Sequence, residues 1–221
     1  ELYLQMCRVA EFINPKVILI ENVPNMILMK GGLFKERIIK SLSTFGYSNI
    51  ALMKLCADQY GVPQSRYRIF FIAVKDGFIS EDAQSIFEAV AQAMKRETVT
   101  VNEAISDLPE QVAEDSGRTI NYPSLKSDQW TSKFIREMRL DLDGEKYSIE
   151  EKKSVYKLHS SSVELQNHHT KDVQERRLNI IKLLKPGCKA DSLPKALWNN
   201  KRPEKWRRFD GEKTAHTLLA N

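Results

Sequence analysis

The sequence predicts an α/β fold: the C-terminal half of a doubly wound sheet with an antiparallel strand pair, plus a smaller, irregular second domain. Three observations carry this expectation. A helix-period segment runs into a continuously apolar, strand-sized run, Val17-Ile18-Leu19-Ile20, which ends on polar Glu21-Asn22-Val23-Pro24. Helix, buried strand and polar strand end make half of a βαβ unit. Two further strand-like runs, 50–56 and 69–74, are joined by a polar loop, 57–65. That loop is too short for a crossover helix, so the two strands pair antiparallel. From about residue 97 the texture turns polar and irregular, which places the domains at 1–96 and 97–221.

Each element has its own signals. In the first helix Leu2, Met6, Val9 and Ile13 share a face, and Asn14-Pro15 ends it. The strand at 17–20 holds three β-branched residues and no polar one, the pattern of a strand buried on both faces. Gly31-Gly32 breaks the chain; Phe34, Ile38 and Leu42 mark a second helix with Gly46 as its C′ residue. Asp76-Gly77 turns the chain. Ser80 as N-cap, acids at 81 and 82, and an apolar face of Ala83, Ile86, Phe87, Val90 and Met94 predict a third helix. A further helix is expected from Thr170 to Leu184, stopped by Pro186-Gly187.

Composition narrows the class. Of 221 residues, 42% are hydrophobic and 29% charged, which fits a globular protein and argues against wholesale disorder. No apolar run approaches the roughly 20 residues of a membrane-spanning helix. The chain begins at Glu1 with no Met and no signal-like stretch, so a cut N-terminus is expected. Cys7, Cys56 and Cys188 are odd in number and form no Cys-x-x-Cys pair. They read as small buried hydrophobes in a reducing compartment rather than a disulfide framework. Net charge is +5, and the span 195–213 carries seven basic residues against three acidic ones. Such a concentration suits a polyanion, or it is a solvated basic loop; charge alone leaves both open.

Two constellations could carry chemistry. Glu21 leaves the carboxyl end of an interior strand, where ligands of open α/β sheets sit. It is an acid or base there, or it shares with Asn22 the capping of the next turn. Gln64-Ser65-Arg66-Tyr67-Arg68 opens a strand, so Gln64, Arg66 and Arg68 alternate onto one face. Two guanidiniums and an amide suit a phosphate or a base edge, or they are the polar face of an edge strand. His168-His169 has no Cys, Asp or Glu completing a ligand spacing, so no metal is expected. Trp198 and Trp206 read as core residues before stacking platforms.

Taken in order, these residues resemble the C5-cytosine-specific DNA methyltransferases of bacterial type. Glu21-Asn22-Val23 looks like that family's Glu-Asn-Val motif, and Gln64-x-Arg66-x-Arg68, led in by Asp58 to Pro63, is similar to its Gln-x-Arg-x-Arg motif. Leu2, Arg8 and Pro15 look like the end of the preceding helical motif. Ala104 to Pro109, Asn167-His168, Arg176, Pro186-Gly187 and Thr214 to Asn221 follow in family order. The family's Phe-x-Gly-x-Gly cofactor loop and its Pro-Cys-Gln nucleophile loop are absent, as are its closing motifs.

The resemblance implies a Rossmann-like catalytic domain over 1–96 and an incomplete target-recognition region over 97–221. It implies a cytoplasmic bacterial enzyme of restriction–modification type that takes methyl groups from S-adenosyl-L-methionine to C5 of a cytosine flipped out of double-stranded DNA. By the same resemblance Glu21 protonates N3, Arg68 grips O2, Arg66 holds the backbone or Glu21, Gln64 orders the pocket and Asn22 braces the thiol loop. Lys201, Arg202, Lys205, Arg207 and Arg208 would meet DNA. The fragment alone is expected to be inactive unless a second chain supplies the missing motifs. A non-catalytic DNA-binding module and a tRNA cytosine-5 methyltransferase remain the alternatives.

Overall fold

Helix α1 (Leu2–Ile13) leads into strand β1 (Val17–Asn22), a 3-10 segment (Pro24–Gly32) and helix α2 (Leu33–Thr44). Strand β2 (Asn49–Cys56), a 3-10 turn (Ala57–Tyr60), strand β3 (Tyr67–Val74) and helix α3 (Ala83–Ala93) follow. The computed structural model describes residues 2–109, 132–138, 175–198, 203 and 206–218. The chain divides into two units, Glu1–Thr98 and Val99–Asn221.

In the first unit the sheet order is β1-β3-β2, antiparallel throughout. The predicted pairing of 50–56 with 69–74 is present, with Asn49 opposite Val74 and Cys56 opposite Tyr67. Pleat alternation then sorts β3 between two cores. Ile69, Phe71 and Ala73 join Ile18, Cys7, Ala10, Ile38, Leu42 and Tyr47 on the face covered by α1 and α2. Ile72 and Val74 join Ala51, Met53 and Ala83 on the α3 face, with Phe87 and Ala91 packed alongside.

β1 departs from expectation. Among the described residues it pairs with β3 alone. Its α1/α2 face is covered at Ile18, whereas Val17 (43%) and Leu19 (62%) are exposed on the other. Continuous apolarity did not mean burial on both sides here, because α3 packs chiefly over β2 and β3. The α1 face is also corrected: Val9 and Ile13 are exposed, and Cys7 and Ala10 are buried with Tyr3 and Met6 beside them.

Local signals explain the boundaries. α1 stops before Asn14, whose φ of 46° turns the chain into Pro15. α2 ends in a Schellman arrangement: Tyr47 N–H reaches Leu42 C=O at 3.1 Å, Gly46 N–H reaches Ser43 C=O at 3.1 Å, and Gly46 has φ +80°. The N-cap of α3 is Asp82 rather than Ser80; its carboxylate accepts from Ser85 N–H at 2.8 Å. Glu81 instead accepts from Ser80 N–H and hydroxyl, both at 3.1 Å. Gln84 of α3 turns its amide oxygen to Leu52 N–H, 2.8 Å away on β2.

In the second unit, α4 (Val101–Ile105) opens with a Thr100/Glu103 capping box. Helices α5 (Lys133–Met138), α6 (Glu175–Leu183) and α7 (Lys195–Trp198) follow. α6 falls within the expected 170–184 helix, whose first residues lie outside the described set. After Pro186-Gly187 the chain forms a short ribbon with 206–208: Gly187 N–H to Arg208 C=O (3.0 Å), Arg208 N–H to Cys188 C=O (3.1 Å) and Ala190 N–H to Trp206 C=O (2.9 Å). Among the described residues no helix is long and apolar enough to cross a membrane, and no group of three acidic, His or Cys side chains could hold a metal ion.

Candidate functional site

The register of the central strand places the two predicted reacting groups together. Glu21 lies opposite Phe70 on β3, and Arg68 is two residues further along that strand, so both project from the α3 face. A diagonal cross-strand neighbour is within reach of a long side chain. Arg68 Nε forms an ion pair with Glu21 Oε1. Its Nη1 donates to its neighbour's carbonyl, Tyr67 C=O, at 2.8 Å. The Arg68 side chain keeps 18% of its exposure and Glu21 keeps 50%. One guanidinium is thus shielded and oriented, while the carboxylate remains open to an incoming molecule.

The other predicted residues divide. Asn22 Oδ1 accepts from Val23 N–H at 2.8 Å, so it caps the turn leaving β1. Gln64-Ser65 is a two-residue extended segment, and β3 starts only at Tyr67. Arg66 lies between these two extended segments. Arg66 C=O accepts from Ala57 N–H at 3.0 Å, and Gln64 N–H reaches Val62 C=O at 2.7 Å. Both bonds hold the loop's backbone, and the ion pair of Glu21 is with Arg68, not Arg66.

Sequence reasoning missed what ties this loop. Asp58 accepts from the Ser65 hydroxyl across the turn. Burial pushes the Asp58 carboxyl up, but hydrogen bonds from Cys56, Ser65 and backbone amides outweigh it and hold it below the ordinary value. The signal was present as an Asp seven residues before a Ser, a spacing with no general meaning outside this loop.

Cys7 and Cys56 are buried and Cys188 is half-buried. Burial pushes the first two thiols up, which disfavours the thiolate a nucleophile needs.

Of the basic residues, Lys201, Arg202 and Lys205 lie outside the described set, as do His168 and His169. Arg208 donates from Nη1 to Leu184 C=O at 3.1 Å, just past the end of α6, where a cation also meets the negative end of the helix dipole. Arg207 is half-buried, and its Nε is hidden from solvent with no hydrogen-bond partner among the described residues. Trp198 is tied by its Nε1 to Leu193 C=O at 3.1 Å. Trp206 carries the Arg177 guanidinium 5.7 Å above its ring.

The family model described as C-5 cytosine-specific DNA methylase matches residues 1–212. The type II methyltransferase M.DdeI of Desulfomicrobium norvegicum is 34% identical over 125 residues, 55% of this chain and 29% of the relative. M1.BsuMI of Bacillus subtilis, also a type II methyltransferase, is 33% identical over 126 residues, 57% of this chain and 28% of the relative. The chain therefore spans under a third of the length of these curated relatives. In fold it is similar to the crystal structure of a DNA modification methyltransferase encoded within an E. coli prophage. The TM-score is 0.63 at 20% identity, over 98% of this chain and 56% of that one.

Proposed function

The chain belongs to the C-5 cytosine-specific DNA methylase family, and on that premise we propose that its protein methylates C5 of a cytosine flipped out of duplex DNA, in a cytoplasmic restriction–modification system. In this reading 1–96 is the C-terminal part of a Rossmann-like catalytic domain and 97–221 a target-recognition region. The observation that carries it is the Glu21–Arg68 ion pair on the open end of the sheet's α3 face.

Cytosine C5 is a weak nucleophile. Addition of a thiolate at C6 makes it enamine-like and sends negative charge toward N3 and O2, one hard step divided into easier ones. Glu21 is a carboxylate with an open side, suited to hold a proton for N3 and to accept from the exocyclic amine. Arg68 has five N–H donors; Nε faces Glu21 and Nη1 the Tyr67 carbonyl, which leaves others of the fork for O2. Asn22 sets the exit of β1 and thereby the heading of Glu21. The base reaches them only after leaving the stack, at a cost of roughly a few kcal/mol.

The methyl donor of this family, S-adenosyl-L-methionine, meets no matching loop in this sequence. No Gly-x-Gly occurs among its nine glycines, so no loop here matches the family's cofactor loop. The nucleophile is likewise none of the three cysteines, given their burial and neighbours. No step is therefore assigned to the donor here.

The test is transfer of tritiated methyl groups by the full-length protein to duplex DNA and, separately, to tRNA. Transfer to cytosine C5 of DNA is expected. Preference for tRNA, or transfer that is untouched by Glu21→Gln, would overturn the reading.

A further inference from the structure

In the second unit, two cations face one another across the short ribbon. Lys189 and Arg207 form an antiparallel bridge, with the 187–190 and 206–208 hydrogen bonds on either side. Residues directly opposite in such a pair send their side chains to the same face. Like charges so placed repel, and a sequence tolerates the arrangement best when an anion joins them. Neither cation is paired with a carboxylate among the described residues: Asp210, the nearest acid after Arg207, is held by Lys213 at 3.0 Å.

A third donor stands beside them. The His216 ring lies against Phe209, centroids 4.8 Å apart. Burial, and then the charges of Arg207 and Lys189, hold its imidazole below the ordinary value. Phe209 stands two residues beyond Arg207 on the same short stretch, so the ring packed against it flanks the Lys189–Arg207 pair and can donate one N–H. Arg207 Nε adds a donor hidden from water and unused by any described group. Shielded as it is, that nitrogen is not itself the contact; the outer nitrogens of the same guanidinium are the donors an anion meets.

We propose that Lys189, Arg207 and His216 form a seat for one phosphodiester anion of bound DNA. The seat rests on the DNA reading above and sharpens it: Lys189 and His216 lie outside the basic run that charge alone singles out, while Arg208 is committed to Leu184. Phosphate contacts of this kind fix register on the duplex, leaving sequence choice to other side chains.

The test follows the His216 ring signal by NMR during titration with inorganic phosphate and, separately, with a short DNA duplex. Both are expected to shift it. Lys189→Gln and Arg207→Gln should each weaken the response by about tenfold, the scale of a lost charge-assisted hydrogen bond. Lys189→Arg should retain it, which a general loss of structure would not allow, and Lys182→Gln on α6 should leave it unchanged. A His216 signal indifferent to phosphate, or equal losses in Lys182→Gln and Lys189→Gln, overturns the seat. A response to phosphate without any to duplex overturns the seat as a DNA contact and leaves the DNA reading to the methyl-transfer test. Duplex binding with a silent His216 keeps that reading and removes the seat.

Discussion

The Tyr47 hydroxyl donates to the Pro15 carbonyl at 2.7 Å, joining the end of α2 to the residue that breaks α1, 32 positions earlier. Tyr47 is wholly buried, and the Lys75 ammonium sits 4.8 Å from its ring. Tyr47→Phe keeps the ring and strands a carbonyl. We expect a loss of about 1–3 kcal/mol in urea unfolding, the cost of an unmade bond at a buried group. An unchanged midpoint would show that water replaces the hydroxyl.

Gly46 gives a second stability prediction. Its φ of +80° lies in the left-handed region, and an added Cβ would come 3.0 Å from Lys75 Nζ. The lysine tip can swing away, so the backbone term dominates. Gly46→Ala is expected to cost about 1–2 kcal/mol; a shift under a few tenths would place the helix end elsewhere.

At the candidate site, Glu21→Gln and Arg68→Lys test different properties. The first removes the charge and the proton-holding group at constant shape. It should lower kcat/KM of the full-length protein by about 10²–10⁴-fold, the range of a lost general acid or base. The second keeps the charge and removes the fork, so it should also fail to restore activity. Full activity in Arg68→Lys would reduce Arg68 to a point charge.

Asp58 predicts a pH dependence. Its folded-state value is depressed, so ionisation stabilises the fold above the unfolded value of about 3.9. That contribution is lost as pH falls from about 4 through the lower folded value. Asp58→Asn should flatten stability against pH in this acid window, by comparison with the parent chain. Identical slopes in the two proteins would mean that the Ser65 contact carries no charge-dependent stability.

Much of this was readable in the residues. The antiparallel 50–56/69–74 pair followed from a loop too short for any other path, and Gly46 announced the end of α2 by itself. Position was harder than type. The buried face of α1 was assigned to its larger aliphatics, yet Cys7 and Ala10 form it, because small side chains are the ones that let another layer approach. Ser80 and Asp82 are both good caps, and only the path of the chain into α3 decides between them. Glu21 and Arg68 were each legible, but their meeting depends on the register that sets Glu21 opposite Phe70, far along the chain. The Asp58–Ser65 tie has no local signature, since it arises from how a loop closes.

The Gln84 contact has a consequence for how the chain meets other copies of itself. By engaging the Leu52 amide, a side chain from α3 withdraws one donor from the outer border of the sheet on that flank. Gln84→Ala frees that amide and should raise the tendency of this flank to add a strand from another copy at high concentration.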